Sequence, residues 1–176
     1  MGLKWRDELR LAAAAPRWSW RFYLRHLPLV GGLSLIPSVQ RLVVVGSDGQ
    51  LLPGWLNTTS EVVVMGVRVL LVVLVWRIAF AGARPDWNRA RAFVDTHWRG
   101  LVCQSAFLVA AFGFFGVFAE QVVGGLLPES AQQTYLAVLL FVKNPTVIAF
   151  TMVWVVGAIR QAALPVPATA APVPAR

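Results

Sequence analysis

The chain has 176 residues, of which 57% are hydrophobic and 14% are charged, and its formal net charge is +8. A soluble domain of this size carries about 25% charged residues, so the composition excludes an ordinary soluble globular domain. The apolar residues fall in four long blocks, which predicts an all-α, polytopic integral membrane protein. The positive charge is distributed as a membrane surface favours, so we expect anionic lipids, and not nucleic acid, as partners.

Three segments outside the apolar blocks have their own character. Residues 1–26 form an amphipathic segment rich in arginine and tryptophan, which the headgroup region favours, and we expect it on the cytoplasmic membrane surface. Residues 83–100 are basic and repeat apolar side chains at helical spacing, which predicts a short surface helix. Residues 161–176, rich in alanine and proline, are expected to be disordered. The predicted interfacial anchors are Trp18, Arg21, Trp87 and Trp98.

The apolar blocks predict a transmembrane domain over residues 27–160 with four spans. Residues 47–60 and 121–134, the first and third loops between the spans, contain no lysine or arginine. The N-terminal segment, the middle loop and the C-terminal flank carry most of the basic residues. The positive-inside rule therefore predicts a multi-pass protein of the cell (plasma) membrane with both termini in the cytoplasm. The predicted spans are 27–46, 61–82, 101–127 and 135–159.

The third predicted span holds one acid, Glu120, among nearly uninterrupted apolar residues. At ~100° per residue, small residues share a face with this acid, and four phenylalanines fall mostly on the other side, where we expect lipid. A face of small residues lets another helix approach closely. We therefore expect Glu120 to point into the helix bundle. The predicted inward face comprises Ala106, Ala110, Gly113, Val117, Glu120 and Gly124, and the predicted lipid face comprises Phe107, Phe114, Phe115 and Phe118.

One ionisable residue in each predicted span lies at a similar depth when the rise is taken as ~1.5 Å per residue. These residues are Arg41, Arg68, Glu120 and Lys143, and Asn144 follows the last of them. A lone charge at such depth costs at least ~2.5–3.5 kcal/mol, so we predict that Glu120 pairs with Arg68. Lys143 or Arg41 is expected close by, and about two positive charges are left to bind an anionic group. The alternative is that all four residues mark the outer interface and contact headgroups.

Two prolines lie inside predicted spans. Pro37 and Pro145 each remove a backbone hydrogen bond and free a carbonyl one turn back, at Leu33 and Phe141. We predict a helix break at each proline. Broken helices near the middle of the membrane often line a site in transporters, whereas proline kinks are also common in membrane helices that have no such site.

The sequence offers no catalytic or metal chemistry. The two histidines, His26 and His97, are separated from the single cysteine, Cys103, and from paired carboxylates, so no zinc or iron site is predicted. There is no glycine-rich phosphate loop, nucleophile elbow or His-Glu-x-x-His pattern. We therefore predict no catalytic residue, no metal and no cofactor.

These features predict a non-catalytic membrane protein that is an accessory or structural component of a larger membrane assembly. Its partner would be another membrane protein or a second copy of the chain, and its charged layer would hold the bundle together. The alternative is a small transporter or flippase for an anionic or lipid-linked substrate. Arg41, Arg68 and Lys143 would then form the binding set.

Overall fold

The computed structural model describes residues 5–47 and 53–165, and within those ranges it consists of helices with no strand. The prediction of an all-α protein is confirmed. Four of the helices, α2 to α5, are long and apolar enough to cross a membrane. The helices are α1 (Trp5–Arg25), α2 (Leu27–Gly46), α3 (Gly54–Ala79), α4 (Trp87–Leu126) and α5 (Glu129–Ala163).

Several helices extend beyond the predicted spans. Both α3 and α5 begin directly after a proline, Pro53 or Pro128, whose carbonyl accepts the first backbone hydrogen bonds of the helix. Proline has its φ fixed near the helical value and needs no hydrogen-bond acceptor of its own, so it suits a helix start. The first turn of the second of these helices, α5, is polar, and α3 has a polar run at residues 57–60, and for that reason the apolar blocks begin later than the helices. The predicted disordered tail starts inside α5, which ends at Ala163, and residues 166–176 lie outside the described residues.

The first two helices follow one another along α5 and run antiparallel to it. The Gln161 side chain donates a hydrogen bond to the Leu11 carbonyl (2.9 Å), and the Gln133 side chain donates one to the Val45 carbonyl (3.2 Å). With 35 residues, α5 is ~52 Å long, which exceeds the ~30 Å hydrocarbon core of a bilayer. We call the end of the bundle formed by α1 and residues 155–163 the basic end, because the exposed arginines of α1 lie there.

The core lies toward the basic end and is built by α1, α2, α3 and α5. Among the described residues, α4 contributes none of its members. Helix α1, which lies in the segment predicted to be on the membrane surface, buries one face against α5, where the Ser19 hydroxyl donates to the Val153 carbonyl (3.4 Å). Trp18 packs against this core. The core residues are Phe22, Tyr23, Val30, Leu71, Val75, Ala79, Phe80, Ala149, Val153, Val156 and Ala163.

The long helix α4 changes direction near its start. Asp86 caps it by accepting hydrogen bonds from the backbone N–H groups of Asn88 (2.9 Å) and Arg89 (3.1 Å), and its own N–H donates to the Ala163 carbonyl at the basic end. Non-helical backbone angles at His97 then separate the segment beginning at Trp87 from the rest of α4. The predicted surface helix is therefore the first segment of a kinked, longer helix.

The inward face of α4 differs from the predicted one. Ala106 and Ala110 are exposed, and so is Val117, whereas Phe115, predicted to face lipid, is half-buried. Of the predicted face, Gly124 is buried and Glu120 is half-buried with a partner on α5. The buried residues of α4 are Gly100, Gln104, Ala119 and Gly124, and the half-buried ones include Leu108, Ala111, Gly113, Phe115, Gly116 and Glu120.

A π-helical segment, Phe114–Val123, explains this difference. Hydrogen bonds from i to i+5 widen the helix, so each residue turns through a smaller angle than the ~100° of an α-helix. By the position of Glu120, the rotation about the helix axis is smaller than in an α-helix by an amount of the order of a quarter turn. The Glu120 carboxylate therefore faces the bundle and not the side of the exposed Ala106 and Ala110. A projection that assumes an α-helix throughout therefore assigns residues before and after the π-helical segment to the same face. In the structure those residues lie on different faces.

Candidate functional site

Three polar contacts connect α2, α3, α4 and α5, and we call them the polar cluster. At its centre is Asn144, which is buried on α5. Its amide oxygen accepts a hydrogen bond from Arg68 Nη2 on α3 (3.2 Å), and its amide nitrogen donates to the carbonyls of Leu140 (3.0 Å) and Pro37 (3.4 Å). One amide side chain therefore joins three helices.

On the other side of α5, Lys143 Nζ forms a salt bridge with Glu120 Oε1 on α4. The Lys143 side chain is 11% exposed and the Glu120 side chain 28%. Because Lys143 and Asn144 are consecutive, they project from α5 toward different neighbours, one toward α4 and the other toward α3. The consecutive pair thus links the two flanking helices through α5.

The third contact joins α2 and α3 closer to the end opposite the basic end. Arg41 forms a salt bridge with Glu61 (3.1 Å), and Gln40 donates hydrogen bonds to Glu61 (3.0 Å) and Ser60 (3.1 Å). Glu61 lies seven residues, or ~10 Å, from Arg68 along α3. The ionic residues therefore form two tiers rather than one layer.

The predicted pairing of Glu120 with Arg68 is wrong. Glu120 pairs with Lys143, and Arg68 pairs with a neutral amide, because Lys143 projects from α5 toward α4 and Asn144 projects toward α3. Arg41 pairs with a different acid, Glu61, which was not predicted as a partner. Its signal was present in the sequence, since opposite charges flank the short loop between two consecutive antiparallel helices. Among the described residues, Arg68 alone of the three predicted cations has no salt bridge.

The two predicted helix breaks have different outcomes. The α-helix α2 continues through Pro37 without interruption, so the prediction of a break is wrong there. At Pro145, α5 widens into a π-helical segment, Asn144–Ile148, and continues. A proline has no N–H and its ring clashes with the carbonyl one turn back, and the wider turn relieves this clash. The Pro145 carbonyl accepts a hydrogen bond from the buried Tyr23 hydroxyl (2.7 Å), whose pKa is raised by burial.

The space beside the polar cluster is small. A cavity of about 10 Å³ is lined by Arg68, Asn144 and Ser34 together with apolar side chains, and a volume of this size holds about one water molecule. The Nε atom of Arg68 is buried there without a hydrogen-bond partner. The cluster as folded can therefore bind one small polar group, and it is too small to enclose a substrate.

Two of the four predicted interfacial anchors, Trp18 and Arg21, line one cavity, and Trp87 and Trp98 do not. Trp87 and Trp98 are exposed on opposite sides of the kink in α4, and Arg21 is exposed on α1. Trp18 is half-buried against Gly157 of α5 and stacks with the Arg160 guanidinium, 5.1 Å from the ring centre. Trp18 therefore has a packing role that its position in an amphipathic segment did not indicate.

Among residues 5–47 and 53–165, no three histidine, cysteine or carboxylate side chains come together as a metal site would require. His97 instead contacts the buried carboxylate of Glu8 (3.2 Å), which joins the kink of α4 to α1. Comparison of the chain with family models, with curated proteins and with solved structures found no match in any of the three.

Replacing Asn144 by alanine is expected to lower the free energy of unfolding by ~1–3 kcal/mol, because the Arg68 guanidinium loses its acceptor in a buried site. Adding Arg68→Met to this variant is expected to restore most of the loss. The measurement is unfolding of the detergent-solubilised chain by sodium dodecyl sulfate. Asn88→Ala, at an exposed position, is the control and is expected to change stability by less than ~0.5 kcal/mol. Failure of Arg68→Met to restore stability would contradict the coupling.

Proposed function

We propose that this chain is a non-catalytic, multi-pass protein of the cell membrane that acts as an accessory or structural component of a membrane assembly. Both termini are placed in the cytoplasm by the positive-inside rule. In this proposal the polar cluster holds the four long helices in register. A second membrane protein, or a second copy of the chain, packs on the outer surface of α4.

The pairing of the ionic side chains supports a structural role. Arg41 and Lys143 each have a carboxylate partner within the bundle, and Arg68 donates to Asn144. A transport site built from these cations would need them free to bind an anion. The cavity at the cluster, about 10 Å³, is far below the ~300–1,000 Å³ typical of small-molecule sites.

The weak packing of α4 is the observation that carries the proposal. In its most apolar window 6% of the residues are buried, against 22% in each of the other three long helices. From residue 105 to residue 118 no residue is buried, and small residues at Ala106 and Ala110 face outward. A Cβ at Gly113 or Gly116 would meet nothing within 4 Å. Small side chains let helices approach closely in a membrane, so this surface suits a further helix.

The test compares two neighbouring exposed positions on α4. Ala110→Phe is expected to disrupt association because it fills the small-residue surface, and Val109→Phe is the matched control that adds the same ring where a large side chain already stands. The measurement is the protein mass of the complex purified in mild detergent. We expect the wild type and Val109→Phe to exceed the 19.3 kDa of one chain, and Ala110→Phe to approach it. A wild-type chain that is monomeric and free of other proteins contradicts the proposal.

One observation favours the alternative of a small transporter or flippase for an anionic or lipid-linked substrate. The Arg68 guanidinium is in the bundle without a carboxylate partner among the described residues, and its Nε atom is unsatisfied. Reconstitution with fluorescent phosphatidylglycerol separates the two functions. Movement of the lipid between leaflets by the wild type, and its loss in Arg68→Met at equal protein level, would support the transport function. It would contradict the accessory function.

A further inference from the structure

A cavity of about 550 Å³ opens at the basic end of the bundle, far from the polar cluster. It lies between α1, His26 just before α2, the end of α3, and α5. Its volume is within the range of sites that hold small molecules or headgroups. The cavity is lined by Trp18, Arg21, Phe22, Arg25, His26, Ile78, Ala79 and Arg160.

The polar lining of this cavity is entirely basic. Arg21 and Arg25 are exposed one helical turn apart on α1, a spacing at which like charges repel. Arg160 faces them from α5 and is held in place by a hydrogen bond from Nε to the Ala79 carbonyl (3.0 Å) and by the Trp18 ring. None of the lining residues is acidic. The three guanidinium groups therefore create a positive potential that the lining itself does not balance.

The rest of the lining is apolar, and exposed aliphatic side chains are sequence neighbours of the lining residues. Phe22 packs against His26 with the rings tilted and their centres 4.5 Å apart. Ile78 on α3 lines the cavity and is exposed. Leu24 and Leu27 are not part of the lining, but they are exposed and are the sequence neighbours of Arg25 and His26. A soluble anion needs only the charges, whereas an amphipathic ligand also uses such a border of exposed aliphatic side chains.

We propose that this cavity binds the phosphate group of an anionic phospholipid, with the acyl chains lying over the exposed aliphatic side chains of α1, α2 and α3. A guanidinium group can donate two parallel hydrogen bonds to two oxygens of one phosphate, and it keeps its charge at all physiological pH values. Basic pockets between membrane helices on the cytoplasmic side are typical sites for anionic headgroups. Arg21 and Arg25 reach the phosphate from α1, and Arg160 reaches it from α5. This proposal is independent of the surface of α4.

The experiment titrates the full-length chain in detergent with phosphatidylglycerol or phosphatidylcholine and counts bound lipids by native mass spectrometry. The wild type is expected to bind phosphatidylglycerol in preference to phosphatidylcholine. Arg21→Gln and Arg25→Gln are each expected to weaken phosphatidylglycerol binding by about fivefold, and the double variant by about twenty-five-fold. Both positions are exposed, so the variants are expected to keep the helical circular dichroism of the wild type.

Arg10→Gln is the matched control, because it removes the same charge from an exposed position of α1 outside the cavity. It is expected to bind phosphatidylglycerol within twofold of the wild type. An equal loss in Arg10→Gln and Arg25→Gln would show attraction by net charge alone and would overturn the site. Inorganic phosphate is added in a separate titration. If millimolar phosphate displaces the bound lipid and the wild type shows no preference for phosphatidylglycerol, the ligand is a free anion and the lipid assignment is wrong.

Discussion

Replacing Glu120 by glutamine is expected to lower the free energy of unfolding by about 3 kcal/mol. The substitution leaves the ammonium group of Lys143, 11% exposed, without its carboxylate inside the bundle, and breaking a buried ion pair costs ~3–5 kcal/mol. The lower end of that range applies because the Glu120 side chain is itself 28% exposed. Unfolding by sodium dodecyl sulfate in mixed micelles measures the change.

The choice of second substitution identifies the partner of Glu120. Adding Lys143→Met to Glu120→Gln removes the unpaired charge and is expected to restore most of the stability, as replacement of buried ion pairs by apolar residues often does. Adding Arg68→Met is expected to give no recovery, because Arg68 contacts Asn144 and not Glu120. Recovery with Arg68→Met and none with Lys143→Met would refute the observed pairing.

The Arg41–Glu61 ion pair, which lies toward the end opposite the basic end, provides a comparison for the stability loss of Glu120→Gln. Glu61→Gln removes the partner of Arg41, but these side chains are 42% and 32% exposed. Exposed pairs contribute ~0–1 kcal/mol, so the variant is expected to lose less than ~1 kcal/mol. A loss as large as that of Glu120→Gln would mean that exposure does not distinguish the two tiers.

The second large effect is expected at Gly157, where α1 packs most closely on α5. A Cβ at this position would lie 2.5 Å from Ser19 Oγ and 2.8 Å from the Trp18 ring. Neither neighbour can move freely. Ser19 is fully buried, and the Trp18 ring packs against both Gly157 and the Arg160 guanidinium. Gly157→Ala is therefore expected to cost ~2 kcal/mol, within the range for overpacked cores.

Limited proteolysis reports where this energy is lost. If Gly157→Ala detaches α1 from α5, trypsin is expected to cleave at the exposed arginines of α1 faster than in the wild type, while α2 to α5 stay resistant. Gly66→Ala is the control, because a Cβ there meets nothing within 4 Å in an exposed part of α3. It is expected to stabilise the chain by ~0.5–1 kcal/mol, since alanine is the better helix former. Equal behaviour of the two variants would contradict the close packing at Gly157.

The ionic contacts differ in whether they can be predicted from the sequence. The Arg41–Glu61 contact follows from a local rule, because opposite charges flank the loop of a helical hairpin. The Glu120–Lys143 contact does not follow from such a rule. It depends on the π-helical segment Phe114–Val123, which turns Glu120 toward α5. A projection at a constant angle per residue cannot include this turn, and so it placed Ala106 and Ala110 on the inward face.

By itself the sequence determined the helical class, the four apolar helices and the residues that carry charge inside them. These properties depend on composition and on local hydrogen bonding, which each segment satisfies alone. Only the tertiary structure decided that α1 packs along α5, that Lys143 meets Glu120, and that small residues of α4 remain uncovered. The physical reason is that these features depend on contacts between helices that are distant in sequence. An isolated segment favours α-turns over the rarer π-turns, so no local rule predicts the π-helical segment Phe114–Val123.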